Sequence, residues 1–396
     1  MAYEQDKRVV MTLDAGGNSF RFSAVQGNKV LFEGDEQITL PAFADNMEKC
    51  LNSLTNGFKE VEKKLKEAGK TAVAISFAFP GPADYKRGII GDNLPNFPAF
   101  RKSGGFPMAS YLKNKFNMPV YINNDGNLFA YGEALAGVLP DVNAKLEKAG
   151  SERRYSNILG LTFGTGFGAG IVLSGELLVG DNSVGGEIFS SRNYKYPEYF
   201  VEDSASIRGV QFAFAKYSGG KYYSAELTPK DIFDIADNKV NSDSLKVQEI
   251  LKSPEANSNK PQHAAQLAFA EMGMVAGDTI ADVITMIDGL VVIGGGLAGA
   301  HKFFMPAMLE QLNSKFKRME NDEEIARIPQ KVYDLDDEQS FAEFAKGNPK
   351  TIKVPESDEE ITYDCEPCSG VAVTKLGTSK SIMLGAYAFA LNELDK

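Results

Sequence analysis

No stretch of this 396-residue chain approaches the run of about 18 apolar residues that a membrane-spanning helix needs, and the opening residues, MAYEQDKRVV, lack the apolar core of a secretion signal. A cytoplasmic protein is expected. Cysteine is scarce: of three, only Cys365 and Cys368 form a CxxC pair. One such pair supplies half the ligands of a structural zinc, so it reads as an ordinary loop in a reducing compartment. Histidine is scarcer, and His263 and His301 lie on predicted helices without a partner motif. Basic charge is also in deficit. Lys and Arg number 42 against 53 Asp and Glu, a formal net charge of -11, which argues against nucleic acid as a partner.

What is present is apolar residues at 43%, enough to bury a substantial core, in a length that divides naturally into two domains. Apolar runs at 8–13, 20–25, 72–79, 119–122, 157–163 and 289–293 predict strands. Helical patterns fall between them, at 44–67, 126–137, 202–216, 263–286, 300–318 and 380–393. This alternation is the signature of an α/β fold. Residues 1–125 are expected to form one lobe and 126–380 a second, with 381–396 a closing helix that returns to the first. The segment 319–372, rich in Asp, Glu, Lys and Pro, reads as a solvated insertion that decorates the fold.

One internal repeat organises the chain. TLDAGGNSFRFSAV, from residue 12, and LTFGTGFGAGIVLSGELL, from residue 161, are both strand, glycine-rich turn and strand. Glycine there lets a phosphate approach backbone N–H groups without a Cβ in the way. Two copies, one bearing Asp14 and the other Thr165, suggest a duplicated domain holding a nucleotide between its halves. A third cluster, Gly294, Gly295 and Gly296, sits between an apolar strand and a helix. With Gly299 it also matches GxGxxG, but the acidic stretch that follows offers no second strand for a dinucleotide fold. Gly69, Lys70 and Thr71 mimic the end of a P-loop, yet Lys64 stands where its first glycine belongs and a helix precedes them.

Taken in order, DAGGN (14–18), GPADYKRGIIGDNLPNF (81–97), NNDGN (123–127), GTGFGAG (164–170), GGE (185–187) and GGG (294–296) resemble the motifs of the ROK family of bacterial sugar kinases and sugar-responsive repressors. LGAYAFAL, from Leu384, resembles that family's closing helix. The resemblance implies a two-lobed, actin-like (ribonuclease H-like) ATPase fold with a duplicated βββαβα core, ATP and Mg²⁺ as cofactors, a sugar as substrate and a possible homodimer. It implies that Gly16, Gly17, Asn18, Gly164, Thr165, Gly166, Gly294, Gly295 and Gly296 contact the nucleotide, with Asp14 facing Mg²⁺ through water. Gly81, Asn93, Asn124, Asp125, Glu187 and Glu202 are then the sugar-binding residues.

Phosphoryl transfer to a hydroxyl needs a carboxylate to receive the proton, and Asp125, between a predicted strand and a predicted helix, suits that role. Its position equally suits a helix N-cap. The resemblance favours the base. Two departures stand out: Ser190 occupies the place of the family's zinc-binding histidine, and SSRNYKYPEYFVEDS (190–204) contains none of the cysteines of that site. No structural zinc is expected, and Tyr194, Tyr196, Tyr199 and Phe200 are the candidates to hold the loop by packing instead. Asn18 replaces the usual Thr of the first phosphate turn. A kinase of a hexose or N-acetylhexosamine is the expected function. The alternative is a regulator of the same family, which would carry a DNA-binding domain ahead of the first motif, whereas DAGG begins at residue 14.

Overall fold

The computed structural model describes residues 3–16, 18–92, 94, 97–101, 103–220, 227–253, 256, 258 and 260–396. The first lobe is built on β1 (Val9–Ala15), whose buried run Val9 to Leu13 is apolar on both faces except for Thr12. It pairs antiparallel with β2 (Ser19–Gln26), which carries β3 (Lys29–Val30) and β4 (Ile38–Pro41). On its other edge β1 runs parallel to β5 (Ala72–Ala78). α1 (Met47–Glu67) makes that crossover, capped by Asn46, whose side chain accepts from Lys49 N–H. Its buried residues Cys50, Leu54, Phe58, Val61 and Leu65 fall at helical spacing on one face, and Phe58 packs edge-on against Phe22. A small hairpin, β6 (Ala83–Asp84) with β7 (Ile89–Ile90), and α2 (Met108–Phe116) lead to β8 (Val120–Asn123), parallel to β5.

After α3 (Asp125–Ala136) and α4 (Val138–Lys148) the same plan recurs. β9 (Ile158–Phe163), β10 (Phe167–Leu173) and β11 (Glu176–Leu177) form an antiparallel meander, and helices α5 (Ile207–Tyr217), α6 (Pro229–Ala236), α7 (Leu245–Leu251) and α8 (Lys260–Ile287) lead to β12 (Leu290–Gly294), parallel to β9. Then follow α9 (His301–Leu312), a hairpin of β13 (Lys315–Lys317) and β14 (Glu324–Ala326), β15 (Lys331–Asp334) and α10 (Glu338–Lys346). A hairpin of β16 (Pro349–Lys353) and β17 (Glu360–Asp364), β18 (Cys368–Val373) and α11 (Thr378–Asp395) complete the chain. The second sheet runs β11-β10-β9-β12-β18-β15, and its first five strands repeat the order β3-β2-β1-β5-β8 of the first. This is the duplicated core of the actin-like fold.

The segment 319–372 is therefore not decoration throughout. β18 is almost wholly buried and parallel to β12, and β15 lies parallel beside it, so both are working strands of the second sheet. Cys368 begins that strand rather than lying in a loop. Only the hairpins β13–β14 and β16–β17 are exposed along their length. The predicted helix 300–318 ends at Leu312, and the one predicted from 202 begins at Ile207, after a short 3-10 turn.

The two lobes exchange helices. α3 leaves the first sheet and packs on β9 and β10 of the second, while α11 leaves the second sheet and packs on β1, β5 and β8 of the first. The two cross at Gly132 and Gly385, where an added Cβ would lie 1.9 Å from Ser381 O and 1.8 Å from Leu128 O respectively. Only glycine allows backbones to touch there. That crossing joins the lobes near the N-terminal ends of both helices, where the cleft of an actin-like fold is expected. Among the described residues no helix is long and apolar enough to cross a membrane.

Candidate active site

β8 delivers the NNDGN motif to the cleft. Asn124, not Asp125, is the N-cap of α3: its Oδ1 accepts from Gly126 N–H at 2.7 Å and from Asn127 N–H at 3.3 Å. Asn123, fully buried, braces the turn by accepting from Asn124 N–H at 2.8 Å and Asn127 Nδ2 at 2.9 Å. Asp125 is thereby released from the capping duty that its position also suited. Its Oδ1 accepts from Gly126 N–H at 2.8 Å, and the side chain is open to the cleft. Desolvation by the surrounding protein raises its pKa above the ordinary carboxylate value, opposed by backbone N–H groups and assisted by the negative charge of Asp14.

Further polar groups converge beside it. Asn124 Nδ2 donates to Glu187 Oε1 at 3.4 Å, and burial followed by the charges of Asp125 and Glu202 raises the pKa of Glu187. Glu202 lies next to the second glycine turn: its Oε2 accepts from Phe167 N–H at 2.9 Å, and its Oε1 pairs with Arg208 at 2.7 Å. Gly81 lies over the hydroxyl of Tyr85, a buried phenol that donates to Phe79 O at 3.0 Å. Burial raises the pKa of Tyr85, and the charges of Asp125 and Glu187 add to it. Tyr85 is thus part of this site although the sequence pattern did not single it out; its place inside GPADYKRG was the available signal. Ser190 turns back to donate to Glu187 O at 3.2 Å. Asn93 lies outside the described residues.

The glycine turns face the cleft from both lobes. Gly16 and Asn18 are exposed, with Gly16 N–H bonded to Ser19 O at 3.1 Å; Gly17 lies outside the described residues. Gly164 N–H bonds Gly166 O at 2.9 Å, which closes the second turn and leaves Thr165 exposed at its tip. Gly295, at φ 88°, sits so close to the end of β9 that a Cβ would lie 2.3 Å from Phe163 O, and its N–H is taken by Thr378 Oγ1 at 2.7 Å. Gly294 is buried, whereas Gly296 is exposed and lines a cavity of about 250 Å³ with Lys230, Phe233, Phe269, Leu297 and Gly299. Asp14, at the end of β1, accepts from Ser379 Oγ at 2.6 Å.

The described residues contain no group of three or more His, Cys, Asp or Glu placed to hold a metal ion. A lone carboxylate such as Asp14 nevertheless fits Mg²⁺, which keeps most of its waters and takes its other oxygens from nucleotide phosphates. The loop 191–204 is tied down by Asn193, which is fully buried: Nδ2 donates to Ser204 Oγ at 2.8 Å and Phe200 O at 3.3 Å, and Oδ1 accepts from Lys195 and Tyr196 N–H. Of the four aromatics expected to hold the loop, Tyr194, Tyr199 and Phe200 are exposed, Phe200 with an edge contact to Phe189, whereas Tyr196 is half-buried and its hydroxyl donates to Glu271 at 2.8 Å.

The chain is similar to known proteins in sequence and in fold. The ROK family profile matches residues 10–189. In sequence the chain is 27% identical over 184 residues to the glucokinase of Thermotoga maritima, an alignment that spans 46% of this chain and half the length, 50%, of that enzyme. It is 26% identical over 304 residues to the N-acetyl-D-glucosamine kinase of Photobacterium profundum, covering 72% of this chain and 83% of that one. The crystal structure of the glucokinase of Parabacteroides distasonis superposes with a TM-score of 0.81 at 48% identity, over 99% of this chain and 99% of that chain. A match of that identity over nearly the whole length, together with the family profile, places the chain in the ROK family, among its sugar kinases of actin-like fold.

Proposed function

We propose that this sugar kinase moves the γ-phosphoryl group of ATP onto a hydroxyl of a hexose, glucose first and N-acetylhexosamines next, with Asp125 as general base. The observation that carries the proposal is the division of labour at the start of α3. Asn124 satisfies the helix N–H groups, so the adjacent carboxylate is left facing the cleft. The 48% identity to a glucokinase supports glucose as the preferred acceptor.

In this reading the sugar is held by Asn124 and Glu187, an amide and a carboxylate already close enough to share adjacent ring hydroxyls. Glu202, braced by Arg208, fixes the second glycine turn next to it. The base of ATP enters the cavity walled by Phe233, Phe269 and Leu297, and its phosphates run along the turns at Gly16 to Asn18 and Gly164 to Gly166. Asp14 would hold Mg²⁺ through water, and the ion, bound with ATP, would supply positive charge to the phosphates. A sugar hydroxyl oxygen bonds to the γ-phosphorus as the bond to the β-phosphate oxygen breaks. The hydroxyl proton passes to Asp125 Oδ, giving sugar phosphate and ADP. Closing the cleft around the α3–α11 crossing keeps water from taking the sugar's place.

A coupled assay of ADP release over a panel of hexoses and hexosamines, with Mg²⁺ and ATP, tests this. Glucose is expected to give the highest kcat/KM. ADP release no higher with any sugar than without one would overturn the proposal.

A further inference from the structure

The two side chains that open α11 reach in opposite directions. Ser379 Oγ donates to Asp14 Oδ2 at 2.6 Å, in the first lobe, and Thr378 Oγ1 accepts from Gly295 N–H at 2.7 Å, in the second. Hydroxyls at a helix start ordinarily cap that helix's own N–H groups. Here the N-cap is Gly377, with no side-chain cap, and both hydroxyls are spent instead on the turns that frame the candidate nucleotide site. The residues that follow continue the pattern. Lys380 Nζ reaches Glu33 Oε1 of the first lobe at 2.8 Å, and Ser381 Oγ reaches Glu133 Oε1 of α3 at 2.5 Å. One helix end is thus fastened to both halves of the cleft.

We propose that Ser379 is a positioning residue for Asp14, and that with Thr378 it holds the first-lobe carboxylate and the third glycine turn in register for a magnesium-bound nucleotide. This rests on the kinase reading above. A carboxylate with one oxygen bonded to a fixed hydroxyl cannot rotate freely, so Oδ1 keeps one orientation, in which a metal-bound water would donate to it. Ordering that side chain before the ligand arrives removes part of the entropic cost of binding. The N-terminal end of α11, with its partial positive charge, lies beside the same carboxylate. The contact also couples the lobes: a shift of α11 on opening moves Asp14 and Gly295 together.

Titration calorimetry with a non-hydrolysable ATP analogue, in Mg²⁺ and in EDTA, separates this role from a merely structural one. For Ser379→Ala the affinity in Mg²⁺ is expected to fall about tenfold, the scale of losing a hydrogen bond to a charged group, with no loss in EDTA. The Mg²⁺ concentration for half-saturation should rise correspondingly. Ser379→Thr, which keeps the hydroxyl, should restore both values, and Ser379→Cys, a weaker donor of similar size, should fall between. Melting curves establish that each variant is folded. Equal losses in Mg²⁺ and EDTA, or no loss in Mg²⁺, would overturn the proposal while leaving the kinase reading intact. Failure of the unaltered protein to bind the analogue in either condition would instead overturn the kinase reading, and the Ser379 assignment with it.

Discussion

Asn124 Nδ2 donates to Glu187 Oε1 at 3.4 Å, a long contact that joins the last residue before α3 to the loop that follows β11. The two groups are brought together by different elements of the chain, and the bond between them is weak enough for a ligand hydroxyl to replace. Beside them stands Asp125, whose charge adds to the shift of Glu187.

Glu187→Gln keeps the size of the side chain but removes its charge and one acceptor oxygen. A sugar hydroxyl that loses such a partner in a closed pocket costs about 1–3 kcal/mol, so KM for the sugar should rise by roughly tenfold or more. KM for ATP should not move. A change confined to ATP would place Glu187 on the nucleotide side instead.

Asp125→Asn preserves shape and removes the base. Turnover should fall at least about a hundredfold, the low end for a positioned general base. Stability should move the other way. Because the folded pKa of Asp125 is raised, the fold is favoured by the protonated form, and that contribution is lost as pH rises through the folded value. The amide removes this loss, so the variant should melt no lower than the parent at neutral pH, and the two should converge in acid. Near-normal turnover in the folded variant would show that another group takes the proton.

The base works only when ionised, so kcat/KM should decline on the acid side at a pH above the ordinary aspartate range. The charge of Asp14 adds to the raised pKa of Asp125, after desolvation. Removing one charge eases ionisation of the other. In Asp14→Asn the acid limb should therefore shift to lower pH, and an unmoved limb would mean that Asp14 and Asp125 do not share a field.

Much of this site is legible in the amino-acid sequence, for local reasons. The glycine turns at residues 16–18 and 164–166 and the Asn-Asp pair at 124 and 125 are defined by near neighbours in the chain. What escapes a reading of the sequence depends on distant ones. β15 and β18 carry weak patterns and lie among acidic hairpins, and they become strands because β12 offers an edge to pair with. The N-cap of α3 passes to Asn124 by side-chain geometry that the sequence leaves undecided between two adjacent residues that both favour that role. Ser379 and Thr378 belong to this site only because α11 returns across the first sheet.

The loop 191–204 gives the last test, since relatives are expected to staple it with zinc and this chain does not have the ligands there. Asn193 makes four hydrogen bonds with its side chain, two donated and two accepted, in full burial. Beyond it, Glu271 of α8, 3% exposed, accepts from Lys195 at 2.7 Å, Tyr196 at 2.8 Å and Tyr217 at 2.5 Å. Burial pushes the Glu271 pKa up, but these donors together outweigh it and hold the carboxyl below its ordinary value. A lowered pKa contributes stability above the unfolded value and loses it as pH falls, so this anchor should weaken in acid. Asn193→Ala breaks its bonds and leaves the buried Ser204 hydroxyl and three part-buried backbone groups without that partner, at a cost of about 1–3 kcal/mol. Its melting temperature should fall, and sugar affinity with it, because Glu187 precedes the loop and Glu202 lies within it. Chelator should do neither. Enzyme stripped with EDTA and returned to Mg²⁺ alone should melt and turn over as before, whereas about one zinc per chain, with activity that returns only when zinc is restored, would point to Cys365 and Cys368 as ligands.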